Sequence, residues 1–433
     1  MKYYSTNKSV PEVSLKDAVI KGLAGDKGLF MPERIEMMPR SFFSAVKQMS
    51  FTEIAFEVSK RFFGEDIPED ELEQLVYDTL NFDCPILHIN ENIYSLELFH
   101  GPTLAFKDVG GRFMARLLSY FLRGNNERVN VLVATSGDTG SAVANGFLGV
   151  PGIHVSVLYP KGLVSEIQEK QFTTLGQNIT AIEVDGTFDD CQRLVKSAFL
   201  DEELNKILTL TSANSINVAR FLPQSFYYFN AYARLMEKGV SGDLVFAVPS
   251  GNFGNLTAGL FAKRMGLPVK RFIAANNEND IVYKYLQTGI YEPRASVATI
   301  ANAMDVGNPS NFARILDLYN NSWEAIRSDI KGFRYSDDEI REVVRTVYSA
   351  SGYLLDPHGA TGYKALEEDL EAGEAGIFLE TAHPAKFTGT VEEIVGKGNV
   401  PMPEKLAEFM KGEKLSVALS RNFEDFKAFL MQC

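Results

Sequence analysis

Lys107 is the residue of this chain whose surroundings best suit covalent chemistry. It follows a Gly-Pro turn at 101–102 and an apolar trio at 104–106, and a helix pattern begins just after it, over 109–122. Apolar neighbours and the positive end of a helix both disfavour a charged ammonium group, and a neutral amine is a nucleophile. Lys107 is therefore a candidate Schiff-base lysine. From spacing alone, an exposed lysine in a first helical turn is the commoner alternative.

The strongest phosphate-binding signal is the segment SGNFGN, which lies between a strand pattern and the helix pattern at 256–265. This 250–255 loop consists of Ser250, Gly251, Asn252, Phe253, Gly254 and Asn255. Two glycines let the backbone approach a ligand, and a helix start adds about half a positive charge. The segment is neither a Walker A loop nor a GxGxxG motif. A tight turn with Asn and Ser as helix caps is an equally good interpretation of this segment alone.

A second loop of similar composition contains Thr135, Ser136, Gly137, Asp138 and Thr139. Its hydroxyls and backbone N–H groups, placed at a helix start, could hold a carboxylate. The alternative is an ordinary helix start that is capped by Asp138 or Thr139.

Two further segments add polar groups after strand patterns. Asn214 and Ser215 lie near a helix start, with Arg220 a few residues on, and the fork of an arginine suits phosphate, although a single solvated arginine is commoner. Thr381 closely follows a strand and could hydrogen-bond a ring nitrogen, while His383 beside it is more often structural. No HExxH, Cys/His cluster, paired-carboxylate spacing or GxSxG occurs, so we expect no metal site and no hydrolase triad.

These loops follow short runs rich in Val, Ile, Leu and Phe, most of which are followed by a helix pattern. The runs lie at 129–134, 154–158, 179–184, 207–211, 244–248, 272–275 and 377–379. Such alternation is typical of an α/β protein with a doubly wound parallel sheet, in which ligands bind at the carboxyl ends of the strands. Before residue 90 the patterns are mainly helical, near 14–24, 52–63 and 69–80, with Ser50 or Thr52 as a cap for the second.

Composition narrows the class of protein. The chain has 433 residues, 45% hydrophobic and 23% charged, which is typical of a globular protein of two or three domains. Its net charge of −13 argues against nucleic acid or an anionic membrane as a partner. Neither a secretory signal pattern nor a membrane-spanning run occurs, and Cys84, Cys191 and Cys433 show no CxxC spacing. We therefore expect a cytoplasmic protein that binds a small molecule.

Taken in order, these segments resemble the threonine synthase family of pyridoxal 5′-phosphate enzymes, which have the fold of the tryptophan synthase β-subunit. The matching stretches span nearly the whole chain. They are YYSTN, SLKDAVIKGLAGDKGLFMPE, HGPTLAFKD, ATSGDTGSA, SANSINVARFLPQ, SGNFGN and ETAHPAKF. Each stretch is weak evidence alone, and it is their common order that makes the resemblance specific.

The resemblance implies fold type II of the pyridoxal-phosphate enzymes: two doubly wound α/β domains with the cofactor in the cleft between them, and a mainly helical N-terminal segment. The corresponding ranges are 1–90, then 91–225 with Lys107, then 226–433 with the 250–255 loop; they are coarse, and the domains can be discontinuous. The implied reaction is that of a lyase at the last step of threonine biosynthesis. It converts O-phospho-L-homoserine and water into L-threonine and phosphate.

The family also implies roles for the candidate residues. Lys107 would carry the cofactor and act as acid and base, the 250–255 loop would bind the cofactor phosphate, and Thr381 would face the pyridine nitrogen. Substrate binding is implied for two sets of residues. The carboxylate would lie at Thr135, Ser136, Gly137 and Thr139, and the substrate phosphate at Asn214, Ser215 and Arg220 together with Thr139.

Asp138 departs from the commonest pattern of this fold type, in which many relatives have Asn at the fourth position of the loop. A carboxylate there would repel the carboxylate of the substrate unless it points away or pairs with a cation. Its expected place beside the 3′-oxygen of the cofactor therefore stays open.

Two other functions remain as alternatives. A serine/threonine dehydratase-like β-elimination enzyme would share the fold, but the phosphate donors Asn214, Ser215 and Arg220 argue against it. A non-catalytic protein that binds a phosphate ligand would lack the visible absorption of a lysine-bound cofactor. The oligomeric state is not indicated by the sequence.

Overall fold

A computed structural model describes residues 1–124 and 128–432, which form two compact units. The first unit contains Met1, Met31–Phe106 and Phe221–Pro401. The second unit contains Lys2–Phe30, Lys107–Arg220 and the described chain from Met402 onward. Each unit is discontinuous in sequence, so the contiguous ranges 1–90, 91–225 and 226–433 do not coincide with them.

The described residues form fourteen strands. They are β1 (Lys2–Ser5), β2 (Val13–Ser14), β3 (Phe30–Pro32), β4 (Ile86–Asn90), β5 (Ile93–Glu97), β6 (Val129–Ala134), β7 (Ile153–Pro160), β8 (Ile179–Asp185), β9 (Thr209–Ser212), β10 (Asp243–Pro249), β11 (Val269–Asn276), β12 (Ile330–Arg334), β13 (Glu374–Glu380) and β14 (Val417–Ser420).

Twenty α-helices occur in the same described residues. They are α1 (Leu15–Lys21), α2 (Arg40–Ala45), α3 (Phe51–Phe63), α4 (Glu69–Thr79), α5 (Lys107–Leu122), α6 (Asp138–Phe147), α7 (Glu166–Thr173), α8 (Phe188–Leu200), α9 (Glu202–Ile207), α10 (Val218–Phe221), α11 (Ser225–Glu237), α12 (Gly254–Arg264), α13 (Ile281–Thr288), α14 (Phe312–Leu318), α15 (Trp323–Asp329), α16 (Asp337–Ser351), α17 (Pro357–Asp369), α18 (Thr388–Val395), α19 (Glu404–Lys411) and α20 (Phe423–Leu430). Short 3₁₀ helices lie at Val46–Gln48, Leu222–Gln224, Asn302–Met304 and Pro384–Phe387.

Each unit is built on one main sheet. In the first unit the strand order is β12-β11-β10-β13-β5-β4, and every neighbouring pair is parallel except β5 with β4. In the second unit the order is β14-β8-β7-β6-β9, and all pairs are parallel. The predicted α/β class with doubly wound parallel sheets is therefore confirmed.

The predicted strands agree with seven of these elements, with shifts at their ends. All six residues of β6 are buried, as expected for a central parallel strand that is covered on both faces. The run predicted at 207–211 is corrected: Ile207 ends α9 and the strand begins at Thr209. Helix α1 ends at Lys21, earlier than predicted, because Gly22 takes a left-handed conformation (φ 65°) and terminates it.

Local capping explains where α3 begins. The side chain of Ser50 accepts a hydrogen bond from the backbone N–H of Glu53, and the carboxylate of Glu53 accepts one from the N–H of Ser50. This capping box satisfies two otherwise unpaired donors, and such a cap stabilises a helix by about 1 kcal/mol. Of the two candidate caps, Ser50 is the one used.

Two further features bear on the class of protein. In the part of the chain that the structure describes, no helix combines the length and the apolar character needed to cross a bilayer. Cys84 and Cys191 are buried and form no disulfide among the described residues, and Cys433 lies outside those residues.

Candidate active site

The 250–255 loop joins β10 to α12 through a left-handed residue. Phe253 (φ 61°) occupies the position before the helix, and no side chain caps the helix start. The expected Ser and Asn caps are otherwise engaged, since Ser250 Oγ donates to Val248 O and Asn252 Oδ1 accepts from Ser310 N at 2.6 Å. An uncapped start of an eleven-residue helix presents backbone N–H groups and the positive end of its dipole. This arrangement can bind an anion.

The segment 302–311 supports this loop from the protein side, although the sequence did not identify it. A Cβ atom at Gly251 would lie 2.8 Å from Ala303 O and 2.9 Å from Met304 Cα, so only glycine allows this approach. Asn311 N also donates to Asn252 O at 3.3 Å. The available signal was the Gly-, Pro- and Asn-rich run in a long irregular connection after α13, because such connections are often functional.

Asn255 adds a polar group to the helix start. Its carbonyl oxygen and side-chain Oδ1 both accept from the hydroxyl of Tyr228, and complete burial raises the pKa of that hydroxyl well above its usual value, which keeps it a donor. Asn255 Nδ2 is buried and has no hydrogen-bond partner among the described residues. A buried amide donor of this kind is suited to a ligand that supplies an acceptor oxygen.

Thr381 lies directly after β13, as predicted, and is held by the turn that precedes Lys107. Its carbonyl oxygen accepts from Phe106 N at 2.8 Å, and Ala382 forms an isolated antiparallel bridge with Ala105. Lys386, buried beside this strand end, donates its ammonium to Thr103 O at 2.8 Å. The HGPTLAF and ETAHPAKF segments are therefore one structural element of the first unit.

His383 has a structural role in this element. Its Nδ1 accepts a hydrogen bond from Ala385 N, which caps the short 3₁₀ helix Pro384–Phe387. Burial lowers the pKa of His383 to about 4, so the ring is neutral near pH 7.

In the second unit, Lys107 is the first residue of α5 and is partly buried. The helix begins two residues earlier than its apolar pattern predicted. Two glycines follow it and allow close packing of this helix: a Cβ at Gly110 would lie 2.5 Å from Arg220 O, and one at Gly111 would lie 2.8 Å from Ala142 O. These contacts hold the first turns of α5, which begins at Lys107, against α6 and α10.

The 135–139 loop is organised by the hydroxyl of Thr135. This buried oxygen donates to Gly137 O at 3.0 Å and accepts from Gly137 N at 2.9 Å and Gly140 N at 2.8 Å. Its hydrogen-bonding capacity is therefore used within the loop. Ser136 and Thr139 are partly exposed and are better placed to meet a ligand. The position before α6 is Gly137, so neither Asp138 nor Thr139 caps this helix.

Asp138 is buried, with 4% of its surface exposed. Its Oδ1 accepts from Gln168 Nε2 at 2.9 Å, and it occupies the first position of α6, where the helix dipole favours a negative charge. A neighbouring amide and a helix start therefore hold this carboxylate. These two contacts lessen the repulsion that its charge suggested.

Asn214 and Arg220 join the second loop to the end of β9. Asn214 Nδ2 donates to Ala134 O at 3.0 Å, which places the 214–220 segment beside the 135–139 loop. Arg220 is only 2% exposed, and its Nη1 donates to Ala213 O. The solvated surface arginine of the alternative interpretation is therefore wrong. Ser215 is partly exposed in the same turn.

The structure thus brings together Lys107, the 135–139 loop and the 214–220 segment in the second unit. In the first unit it joins Thr381 to the 101–106 turn, and the 250–255 loop to the 302–311 segment. Among the described residues, no cluster of three or more His, Cys, Asp or Glu side chains could hold a metal ion.

Comparison with known proteins identifies the family. The model "Pyridoxal-phosphate dependent enzyme" matches residues 73–377, flanked by matches to "Threonine synthase N terminus" at 2–80 and "Threonine synthase, C-terminal" at 359–430. The threonine synthase of Haemophilus influenzae is 44% identical over 433 residues, covering 100% of both chains.

Solved structures agree with this result. The crystal structure of threonine synthase from Escherichia coli matches with a TM-score of 0.93 at 43% identity, covering 100% of both chains. The structure of pyridoxal-phosphate-bound threonine synthase from Brucella melitensis matches with a TM-score of 0.92 at 36% identity, covering 100% of this chain and 99% of that one. The chain therefore belongs to the threonine synthase family of pyridoxal-phosphate-dependent enzymes.

Proposed function

We propose that the protein converts O-phospho-L-homoserine and water into L-threonine and inorganic phosphate, with pyridoxal 5′-phosphate as cofactor. Two separate sets of groups whose chemistry suits an anion support this proposal. The uncapped start of α12 is one, and buried Arg220 with its neighbours is the other. A reaction with one permanent phosphate and one that leaves needs two such sets.

The 250–255 loop fits the permanent phosphate of the cofactor. The helix start offers backbone N–H groups without a competing side-chain cap, and Asn255 Nδ2 is a buried donor that has no partner among the described residues. The loop is also supported from behind, because Gly251 packs against the 303–304 backbone. A rigid, neutral set of donors suits an anion that remains bound through every turnover.

Lys107 is proposed to bind the cofactor covalently and to move the protons. When bound, the cofactor withdraws electrons from the substrate carbons. The amine of Lys107 would take the proton from Cα and then one from Cβ, and would return one proton to Cγ after the phosphate leaves and one to Cα after the water adds. The C–O bond at Cγ breaks with loss of phosphate, and water adds its oxygen at Cβ. The neutral hydroxyl of Thr381 would face the ring nitrogen without stabilising a proton on it.

The second unit is proposed to bind the substrate. Arg220, Asn214 and Ser215 would hold the leaving phosphate together with Thr139, since charge-assisted hydrogen bonds stabilise the departing anion. Ser136, Gly137 and Thr139 would hold the substrate carboxylate. Thr135, whose hydroxyl is used within the loop, would shape this site and not contact the substrate directly. Asp138, held by Gln168, would lie beside the 3′-oxygen of the cofactor.

The test is a product assay with the purified holoenzyme. O-phospho-L-homoserine should yield L-threonine and inorganic phosphate in equal amounts, while L-serine and L-threonine should be poor substrates. Rapid deamination of serine or threonine would indicate the dehydratase-like alternative. A protein without visible cofactor absorption would indicate the non-catalytic one.

Lys107 is tested separately. Lys107→Ala should abolish threonine formation and the visible absorption of the covalently bound cofactor, whereas Lys161→Ala, at an exposed position of the same unit, should retain both. Borohydride reduction followed by peptide mapping should place the label on Lys107. A label on another lysine would contradict the assignment.

A further inference from the structure

Asp356 and His358 are separated by one residue at the start of α17, within the sequence DPHG. Asp356 is the residue that caps this helix: its Oδ1 accepts from the backbone N–H of His358 at 2.6 Å and of Gly359 at 3.3 Å. Pro357 occupies the first helical position, where its missing N–H costs nothing. Helix capping alone would explain these contacts.

Three other contacts exceed what a helix cap requires. The ring Nδ1 of His358 lies 2.6 Å from Asp356 Oδ1, and Asp356 Oδ2 accepts from Ala382 N at 3.2 Å. On its other side, His358 Nε2 accepts from Ala303 N at 3.1 Å. Because Nε2 accepts, the ring proton lies on Nδ1 and is donated to Asp356.

The two ends of this chain of hydrogen bonds are both parts of the proposed site. Ala382 directly follows Thr381, the proposed neighbour of the ring nitrogen. Ala303 O is the atom against which Gly251 packs in the 250–255 loop. Asp356 and His358 are 0% and 2% exposed, so no solvent replaces a lost partner.

Glu380, the last residue of β13, contacts Asp356. Its Oε1 accepts from Asp356 N, its Oε2 has no partner among the described residues, and it fills the space that a side chain at 359 would need. Complete burial, with the charges of Asp356 and Glu97 nearby, raises the pKa of Glu380 well above its usual value. Tyr353, which donates to Glu97, keeps its proton for the same reason, since burial raises its pKa. A raised pKa favours the neutral form of the Glu380 carboxyl beside Asp356.

We propose that Asp356 and His358 form a positioning pair that fixes the spacing between the strand end carrying Thr381 and the 250–255 loop, so that pyridoxal phosphate is held at its ring and its phosphate together. This inference rests on the proposed roles of Thr381 and the loop. In this proposal the pair acts through Ala303 and Ala382, which it contacts directly. Its effect is on the geometry of the groups that do.

Two substitutions of His358 test separately its hydrogen bond to Ala303 and its hydrogen bond to Asp356. His358→Asn keeps a donor near the position of Nδ1 for Asp356 and loses the acceptor for Ala303. His358→Gln keeps an acceptor near the position of Nε2 for Ala303 and loses the donor to Asp356. His154→Gln is the control, since His154 is a partly buried histidine of the second unit whose Nε2 lies 3.3 Å from Thr180 Oγ1.

The measurement is the dissociation constant of the apoprotein for pyridoxal phosphate and for pyridoxal, which lacks the phosphate. His358→Asn should weaken the binding of pyridoxal phosphate by at least about tenfold and the binding of pyridoxal by much less. The reason is that the buried N–H of Ala303, which lies behind the 250–255 loop, loses its acceptor. His358→Gln should weaken the binding of both ligands by a similar factor, because Asp356 loses a donor and the strand end that carries Thr381 is held less firmly. His154→Gln should change neither.

Equal losses for both ligands in His358→Asn, accompanied by a lower melting temperature of the apoprotein, would reduce the pair to a structural helix cap and overturn the inference. Unchanged constants in both variants would also overturn it. If His358→Asn does not fold, the His358→Gln variant tests the inference. Unchanged affinity for both ligands in that variant would contradict the proposal that the pair positions the strand end carrying Thr381. Failure of the wild-type protein to form threonine would instead refute the proposed function.

Discussion

Replacing Gly251 with alanine tests the cofactor-phosphate loop with a single methyl group. The backbone of Gly251 is outside the left-handed region, so alanine adopts it without conformational strain. The only obstacle is space: the new Cβ would lie 2.8 Å from Ala303 O and 2.9 Å from Met304 Cα. Both are backbone atoms, which cannot rotate away as a side chain would. The loop and the 303–304 backbone must therefore separate by about half an ångström to reach ordinary contact.

The size of the effect follows from the cost of overpacking. Adding a methyl group to a closely packed site costs about 1–3 kcal/mol. If the separation reshapes the phosphate site, pyridoxal phosphate binds about 5- to 150-fold more weakly, at about 1.4 kcal/mol per decade. Gly389→Ala is the matched control, because Gly389 is exposed in α18 and its added Cβ meets nothing within 4 Å. Its cofactor affinity should equal that of the wild type.

The assay is a titration of the apoprotein with pyridoxal phosphate and with pyridoxal, followed by visible absorption. The Gly251→Ala protein should lose affinity for the phosphorylated ligand selectively, and the melting temperature of the apoprotein reports any general loss of stability. The reasoning is refuted if the affinity for pyridoxal phosphate stays within about twofold of wild type, a change of only about 0.4 kcal/mol. It is equally refuted if both ligands weaken in parallel, since the loop would then not be specific for phosphate.

Three other substitutions examine the substrate site, the ring nitrogen and the pH dependence of stability. Arg220→Ala should lower kcat/KM for O-phospho-L-homoserine by at least about tenfold, since hydrogen bonds to charged groups contribute about 1.5–3 kcal/mol, while the affinity for pyridoxal phosphate stays nearly unchanged. Steady-state phosphate release and a cofactor titration measure the two effects, and loss of the cofactor instead would mean that the two phosphate sites are exchanged. Thr381→Asp should slow turnover while the cofactor stays bound, because a carboxylate would favour a protonated ring nitrogen; unchanged turnover and absorption spectra would contradict that role. Hydrogen bonds from Arg271 lower the pKa of Glu374 to about 2, so the carboxylate contributes stability that is present above its unfolded pKa and is lost as the pH falls from about 5 to about 2. Glu374→Gln should be less stable at pH 7, and the difference from wild type in urea unfolding should narrow toward pH 2; a constant difference across this range would show that the ion pair does not drive the acid sensitivity.

Most of the strands that sequence patterns predicted are largely buried. Short apolar runs identify β6 to β11 and β13 because parallel strands under crossover helices have no polar face. Strands β4, β12 and β14 were not predicted because exposed positions interrupt their apolar patterns, whereas β9, which is also an edge strand, was predicted because three of its four residues are buried. The internal strand β5 was not predicted because its apolar pattern is interrupted by the buried polar residues Ser95 and Glu97.

In the candidate site, too, local sequence patterns predicted some segments and missed others. Loops such as 250–255 and 135–139 were found because glycines and hydroxyl residues directly follow a buried strand. The supports of these loops were not found, because Ala303 lies about fifty residues beyond Gly251, and His358 as far again beyond Ala303. The alternative interpretation of both loops as helix starts, capped by Ser and Asn or by Asp138 or Thr139, is wrong at both. At the 250–255 loop, Asn252 accepts from Ser310 N and no side chain caps α12, whereas at the 135–139 loop Asp138 accepts from Gln168 and it is Thr135 that accepts from Gly140 N in the first turn of α6.

Three glycines show how distant segments support the candidate site. A Gly-rich loop after a strand suggests that the backbone must approach a ligand, yet the missing Cβ of Gly251 faces another part of the protein. Gly110 faces the carbonyl of Arg220, and Gly359 faces the carboxyl of Glu380. None of these three glycines has a left-handed backbone. Each instead lets a second segment lie directly against a residue or loop of the proposed site. Rigid support from behind holds donors at fixed positions, and fixed donors stabilise a developing charge without reorganisation. At these three positions the glycines therefore serve the packing of the site, and alanine there should alter ligand affinity more than backbone conformation.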